Sequence, residues 1–227
     1  RMYGPIPIVD KNLPISATAE EMQIKRQPVD ECVQYISDLL DESYADLPTS
    51  IRVKGEYGRI DKAINRALKA KLLLMAASPL FNGNPDYANF KDEEGNPYFN
   101  PVEDATKWEK AAEAAKQAID DATNASHDLF YFDQSMSGFK LSETSLIQMS
   151  IRHAVCERWN KEIVWGLSDS RATTMQNYCM PRLTNEMTLT LCYAALAPTL
   201  KIAQQFYTKN GVPIEEDKTL DFSTINE

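Results

Sequence analysis

The chain has 227 residues, 43% of them hydrophobic, which is enough to build a sizeable core in one large domain or two small ones. Its 33 acidic and 24 basic residues give a net charge of −9. This balance argues against binding to nucleic acid or to anionic lipid, because both require a basic surface. No apolar run approaches the ~20 residues of a membrane-spanning helix, and the sequence begins with Arg1 and shows no signal peptide.

The N-terminal part predicts an extended segment followed by a helix. Residues 2–14 carry three prolines and no helical period, which indicates an extended course. Pro28 suits the first turn of a helix, and Asp30 and Glu31 favour its positive end. Apolar side chains then recur at helical spacing, at Val29, Val33, Ile36, Leu39 and Leu40. We expect this first helix to end before Pro48.

The stretch from Gly58 to Pro85 predicts the central helix of the fold. One apolar stripe consists of Ile60, Ile64, Leu68, Leu72 and Met75. A second stripe, mostly of small side chains, consists of Ala63, Ala67, Ala70, Leu74 and Ala77. Two apolar stripes predict a helix that packs between two neighbours. The helix should end at Pro79, because a proline ring disfavours helical geometry at the preceding residue.

The two helices and the connector between them predict a helical hairpin. An alanine-rich second helix in such a hairpin is typical of tetratricopeptide repeats. No strict 34-residue period is visible, so the sequence predicts a degenerate repeat.

A long excursion, residues 81–104, follows the central helix and is rich in glycine, proline and charged residues. Its aromatic side chains are Tyr87, Phe90, Tyr98 and Phe99. Because the excursion is longer than most connections, it is expected either to carry a function or to pack on another surface. A ligand-binding role for these aromatics is the less favoured alternative.

The C-terminal half predicts further helices separated by irregular chain. Residues 105–122 form a predicted helix with Trp108, Ala111, Ala112, Ala115, Ala118, Ile119 and Ala122 on one face. Trp108 is expected to be a packing anchor of that face. Ser142 has the chemistry of an N-cap for a short helix. The helical period is lost from Gly166 to Thr190, and a last helix is expected at residues 198–210, before Gly211.

Several of these segments resemble, in the same order, motifs of the SusD/RagB family of nutrient-binding lipoproteins on the outer surface of Bacteroidota. The end of the central helix, A-A-S-P-L-F-N at residues 76–82, resembles the signature of that family. The resemblance extends over most of the chain, at residues 4–9, 26–39, 108–120, 160–165 and 198–214. Asn210 stands where the family commonly has aspartate.

This resemblance implies a mainly α fold, an α/α superhelix of tetratricopeptide-like repeats with long irregular loops. Family members are roughly twice as long, so the resemblance implies one SusD-like domain spanning 1–227 and incomplete at both ends. Its parts would be a helical-repeat core at about 28–124, a loop-rich ligand-side region at about 125–197, and a closing helix at about 198–210. The lipid-bearing cysteine of the family would lie before Arg1, and attachment to the membrane would be through that lipid alone.

The sequence shows no catalytic, metal or cofactor motif. It contains no glycine-rich phosphate loop, zinc-protease, serine-hydrolase or EF-hand pattern. The four cysteines include no C-x-x-C pair. Whether Cys179 and Cys192 form a disulfide stays open. We therefore predict a binding protein without cofactor or metal, and not an enzyme.

Five residues in and beside the irregular region have the chemistry of a sugar site. Aromatic planes meet the apolar face of a sugar ring, and a few convergent donors and acceptors meet its hydroxyls. The candidate ligand-binding residues are Trp165, Arg171, Tyr178, Arg182 and Asn185. A core position for Trp165, and surface ion pairs for the two arginines, are the alternatives.

The resemblance implies a surface protein that captures an oligosaccharide or polysaccharide and delivers it to a TonB-dependent, SusC-like transporter of the outer membrane. One alternative is a RagB-type protein that captures peptides. Another is a helical-repeat scaffold that binds a protein partner and no small ligand.

Overall fold

A computed structural model describes residues 4–168, 172–181, 184 and 192–219. This part of the chain contains six α-helices and no strand beyond two isolated bridges, Lys91 with Pro97 and Tyr207 with Pro213. The predicted mainly α class is therefore confirmed. The chain divides into two compact units, Arg1–Ser168 and Asp169–Glu227. The prediction of a single domain remains a prediction.

The first unit holds four helices and the second holds two. The four are α1 at Val29–Tyr44, α2 at Lys62–Ala77, α3 at Thr106–Asn124 and α4 at Glu143–Cys156. The two are α5 at Ala172–Cys179 and α6 at Leu200–Ala203. None of the described helices combines the length and the apolar character that crossing a lipid bilayer would require.

Helix α2 starts later than predicted, at Lys62, because Asp61 caps it. The Asp61 side chain accepts a hydrogen bond from the backbone N–H of Ile64 at 3.0 Å, and its own backbone is extended. Ile60 therefore lies before the helix and is 46% exposed, so its assignment to the first buried stripe was wrong. The predicted stop is confirmed, since the helix ends at Ala77, just before Ser78 and Pro79.

Helix α2 packs between α1 and α3, as its two stripes predicted. Ala63, Ile64 and Ala77 are buried there. The second stripe is only partly correct, because Leu74 is exposed.

A polar network around Tyr44 joins the same three helices. The Tyr44 hydroxyl donates to Asp121 Oδ2 at 2.8 Å, and the Arg66 guanidinium lies 4.0 Å from the centre of the Tyr44 ring. Arg66 also donates to Asp41 Oδ1 at 2.6 Å. The hydrogen bond to Asp121 raises the pKa of Tyr44. Helix α1 supplies two of these residues, and α2 and α3 supply one each, so the network links all three helices.

The excursion at residues 81–104 packs inward and forms a core with α1. Phe81 and Phe99 are buried together with Val29, and Tyr87 stacks on Phe99 with ring centres 4.2 Å apart. The backbone N–H of Val29 donates to the Tyr98 carbonyl at 2.9 Å. Packing on another surface, one of the two roles expected for this segment, is therefore what the structure shows.

Helix α3 buries only part of the face predicted. Ala111 and Ala114 are its buried residues, whereas Trp108 and Ile119 are 42% and 65% exposed. The contact with α2 selects the stripe that contains Ala111 and Ala114. Trp108 and Ile119 belong to a neighbouring stripe of the same helix. The expectation that Trp108 anchors the packing was therefore wrong.

Helix α4 is capped at both ends by side chains. Ser142 accepts a hydrogen bond from the backbone N–H of Ser145 at 3.2 Å, which confirms the predicted N-cap. At the other end the Asn160 amide donates to the carbonyls of His153, Ala154 and Glu157. The bond to Ala154 satisfies a carbonyl that the helix leaves without an intrahelical partner, and the three bonds together hold Asn160 against the end of the helix.

The described part of the second unit contains more helix near its start, and a shorter closing helix, than predicted. Helix α5 lies within the region expected to be irregular, and α6 has four residues where the closing helix was expected over 198–210. Helix α6 is followed by a turn in which Gly211 has a φ of 74°, a conformation that favours glycine.

Asp217 holds the turn that follows α6. Its carboxylate accepts hydrogen bonds from Thr208 Oγ1 at 2.6 Å, from Asn210 Nδ2 at 2.9 Å and from both the amide and the hydroxyl of Thr219. These bonds, chiefly that from Thr208, hold the pKa of Asp217 well below its usual range.

All four cysteines are free thiols. The disulfide considered between Cys179 and Cys192 is therefore not formed in this structure.

Candidate functional site

The first unit contains a cavity of about 340 Å³ that opens to solvent. Three segments line it: the connector that leads into α2, the turn that follows α3, and the segment after α4. Its aromatic lining consists of Tyr57, Trp159 and Trp165. A concave site with aromatic walls and a few polar groups is the usual form of a small-molecule binding site.

Trp159 lines the cavity and is held by close packing. Its ring meets Tyr57 edge-on, with ring centres 5.3 Å apart. A Cβ atom added at Gly166 would lie only 2.9 Å from the Trp159 ring, so this contact requires glycine. Trp159 itself has a φ of 56°, in the left-handed region that side chains rarely adopt. Such backbone strain is typical of functional sites.

Trp165 presents an indole ring to solvent in a fixed orientation. Its Nε1 donates to the Gly58 carbonyl at 3.1 Å, although the residue is 50% exposed. Gly58 has a φ of 98°, which favours glycine at this position. The indole is thus held in place by one hydrogen bond and keeps area free for a ligand.

The turn after α3 is joined to the segment after α4 through one carbonyl. The Lys161 carbonyl accepts from the Asp128 amide at 3.1 Å and contacts His127 Nδ1 at 3.1 Å. Since a carbonyl only accepts, Nδ1 is the donor in this contact. Ser126, with a φ of 71°, makes the tight turn that positions His127.

The charged side chains around the cavity are mostly basic. Arg52, Arg59 and Lys161 line it, with Asp61 as its single lining carboxylate. Asp61 is 5% exposed and caps α2, so it is already engaged. Arg59 is paired with Glu56 at 2.7 Å outside the lining.

A second cavity, of about 280 Å³, lies along α1, α2 and α3. Its walls are polar and charged, with Asp41 and Lys69 paired across it. It lacks an aromatic side chain, so it offers no surface for ring stacking.

The predicted site residues fall into three groups. Trp165 lies in the aromatic cavity of the first unit. Tyr178 lies on α5 in the second unit, 40% exposed and paired with Tyr193 at a ring-centre distance of 5.1 Å. Arg171, Arg182 and Asn185 lie outside the described residues.

The sequence reading missed three cavity residues, Tyr57, His127 and Trp159. Tyr57 and Trp165 each precede a glycine that approaches the Trp159 ring, and this pairing of aromatic and glycine was the available signal. Across the described residues, no group of three or more histidine, cysteine or acidic side chains is placed to hold a metal ion.

No family model and no curated protein matches the chain. Among solved structures, BT4246 is similar with a TM-score of 0.79 and 32% identity, over 98% of this chain and 41% of that one. The selenomethionine form of BT4246 is similar with a TM-score of 0.75 and 30% identity, over 98% of this chain and 40% of that one. A SusD-like protein (BF3747) from Bacteroides fragilis NCTC 9343 has a TM-score of 0.52 and 18% identity, over 93% of this chain and 32% of that one. The chain thus spans about two fifths of the length of BT4246.

Proposed function

We propose that the chain, whose motifs resemble those of the SusD/RagB family and whose fold is that of a SusD-like protein, is part of a cell-surface nutrient-binding protein. Its ligand is an oligosaccharide or polysaccharide. Its partner is a TonB-dependent, SusC-like transporter of the outer membrane, which receives the captured glycan. A lipid anchor outside this chain attaches the protein to the outer membrane.

The observation that carries the glycan assignment is the fixed, half-exposed ring of Trp165. A sugar ring has an apolar face that packs on an aromatic plane, and hydroxyls that need nearby donors and acceptors. The cavity beside Trp165 offers His127 and Arg52 for those hydroxyls. Because the indole is held by its bond to Gly58, little side-chain entropy is lost when a ligand binds.

The same cavity supports binding without hydrolysis. Glycoside hydrolases place two carboxylic acids on either side of the scissile bond, about 5–10 Å apart. Asp61 is the one carboxylate that lines the cavity, and it is committed to capping α2. No second acid is available among the described lining residues, so we assign a binding role and not a catalytic one.

Tyr178 is a second proposed contact, in the second unit. Its ring and that of Tyr193 are both partly exposed, at 40% and 45%, and together they present a broad aromatic surface. Arg171, Arg182 and Asn185 are proposed contacts from the sequence alone.

Tryptophan fluorescence tests the proposal directly. Two of the three tryptophans, Trp159 and Trp165, line the cavity, and Trp108→Phe removes the third signal. We expect a panel of oligosaccharides to include one that changes this emission and binds with measurable affinity by calorimetry. Trp165→Ala should weaken that binding by ~1 kcal/mol or more, whereas Trp108→Ala, on α3 and outside the cavity, should leave it unchanged.

Two outcomes would replace the proposal with an alternative. Binding of peptides and of no oligosaccharide would indicate a RagB-type peptide-capture protein. Failure of both ligand classes, with a protein partner bound by the intact protein, would indicate a helical-repeat scaffold.

A further inference from the structure

The cavity lining has a charge balance opposite to that of the whole chain. The chain carries 24 basic and 33 acidic residues, whereas the residues that line the cavity include three basic ones and one acidic one. A basic cavity on an acidic protein favours an anionic ligand, because the local field at a concave site decides which charges enter.

The single lining carboxylate does not offset the basic groups for a ligand. Asp61 is 5% exposed, and its oxygen accepts the N–H of Ile64 at the start of α2. Its charge therefore faces the positive end of the helix, where it is stabilised by the helix dipole. The basic residues of the lining are therefore the charged groups left to meet a ligand.

The three basic groups differ in how far they are already neutralised. Arg59 is paired with Glu56 at 2.7 Å, and Lys161 lies 3.4 Å from Asp128. Arg52 has a hydrogen bond from its Nε to Ser50 Oγ at 3.3 Å and forms no ion pair with a carboxylate in the described ranges. Its terminal nitrogens thus keep the planar donor pair that binds a carboxylate through two parallel hydrogen bonds.

From this arrangement we propose that the cavity binds a uronic acid, so that the captured glycan is a carboxylated oligosaccharide. The inference rests on the proposed function and narrows its ligand class. The apolar face of the sugar stacks on Trp165, and its carboxylate is bound by Arg52 with support from Arg59 and Lys161. Because these basic side chains are solvent-exposed or only partly buried, the contribution of charge is screened by salt.

The test compares acidic oligosaccharides with neutral forms of the same linkage. Oligogalacturonides, alginate oligosaccharides and hyaluronan oligosaccharides are each titrated into the intact protein by calorimetry, beside their carboxyl-reduced counterparts. We expect at least one acidic member to bind, and its reduced form to bind about tenfold more weakly or worse. Raising the salt concentration should weaken binding of the acidic ligand and leave binding of its reduced form unchanged.

Arg52→Gln and Arg152→Gln form a matched pair of variants. Both remove one positive charge from an exposed arginine, but Arg152 lies on α4, outside the cavity lining. Arg52→Gln should weaken binding of the acidic ligand about tenfold, and Arg152→Gln should weaken it less than about twofold. Equal losses in the two variants would overturn the assignment of Arg52.

The remaining outcomes separate this inference from the proposed function. Equal binding of the acidic and reduced forms, or binding of neutral glycans only, would overturn the proposal of a uronic acid site and leave that of glycan capture intact. Binding of dextran sulfate oligosaccharides without any uronate would show a sulfate site and overturn it too. Failure of every glycan would overturn both proposals.

Discussion

Two regions of the first unit are rich in aromatic residues, and they use them in opposite ways. In the excursion at residues 81–104, Phe99 is 4% exposed and stacks between Phe81 and Tyr87. In the cavity, Trp165 is 50% exposed and fixed by a hydrogen bond to a backbone carbonyl. Aromatic content alone therefore does not locate a binding site. An exposed ring held in one orientation is the more informative feature.

The largest effect that distinguishes the regions is expected at Phe99. Phe99→Ala removes a buried ring from the core that joins the excursion to α1, so the free energy of unfolding should fall by about 3–5 kcal/mol. Phe90→Ala is the control in the same segment, because Phe90 is 41% exposed and its loss should cost no more than about 1 kcal/mol. Urea unfolding measures both.

Glycan affinity completes that test. In the fraction of each variant that stays folded, neither Phe99→Ala nor Phe90→Ala should alter oligosaccharide binding. A weaker affinity for Phe90→Ala in a folded protein would show that the excursion also contacts ligand, and the contrast between the two regions would no longer hold.

Gly166→Ala is expected to have the next largest effect, and in the cavity. The added methyl group would lie 2.9 Å from the Trp159 ring, so the ring or the backbone must move, at a cost of about 1–3 kcal/mol in the free energy of unfolding. Trp165 precedes this glycine, so glycan affinity should fall as well.

Gly55→Ala is the matched control, since an added Cβ there meets nothing within 4 Å. It should change stability by no more than about 0.5 kcal/mol. A stable Gly166→Ala protein with unchanged emission from the cavity tryptophans would show that Trp159 is not packed against this backbone.

Substitution of Tyr178 tests whether an aromatic residue of the second unit binds ligand, as proposed for the cavity, or serves packing, as in the excursion. Tyr178→Ala should weaken glycan binding by ~1 kcal/mol and change stability little, because the ring is already 40% exposed. Tyr131→Ala, which removes a 68% exposed tyrosine of the first unit outside the cavity, is the control. Unchanged affinity in calorimetry would show that Tyr178 does not contact the glycan.

The first four helices, the mainly α class and the cap at Ser142 could be predicted from sequence because each depends on neighbouring residues. Pro79 ends α2 where the sequence indicates, for the same reason. The start of α2 was missed because a helical period looks the same with Asp61 inside the helix or capping it. The cap became clear only from the hydrogen bond to Ile64.

The buried face of α3 and the cavity could not be predicted, because both depend on distant contacts. Alanines lie on two adjacent stripes of α3, and only the position of α2 decides which stripe is buried. Trp165 and Gly58 are 107 positions apart in the chain. Periodicity carries no information on such pairs, so Trp165 could be chosen for its chemistry but Trp159 and Tyr57 could not be placed beside it.

The smallest expected effect is a difference in acid sensitivity between the two regions. In the excursion, Asp92 and Asp104 accept hydrogen bonds from side chains and amides of their own turns, chiefly from Asn96 and Thr106, and these bonds lower the pKa of both carboxyls. A carboxyl group whose pKa is lower in the folded state stabilises the folded protein at pH values above its unfolded pKa, near 4. This contribution to stability is lost as the pH falls through the folded pKa. In the cavity, the Trp165 bond to Gly58 and the Asp128 amide bond to Lys161 involve carbonyl acceptors that do not titrate in this range.

Hydrogen exchange between pH 7 and pH 3, corrected for intrinsic rates, measures this difference. The amides of Asn96 and Thr106 should lose protection as the pH falls, while the amide of Asp128 keeps it. Asp104→Asn should lower the protection of Thr106 already at pH 7 and remove most of its pH dependence, because an amide oxygen is a weaker acceptor than a carboxylate. Equal loss at Asp128 would mean that acid loosens the helices that both regions share. The cavity would then not be the independently held site that a fixed Trp165 requires.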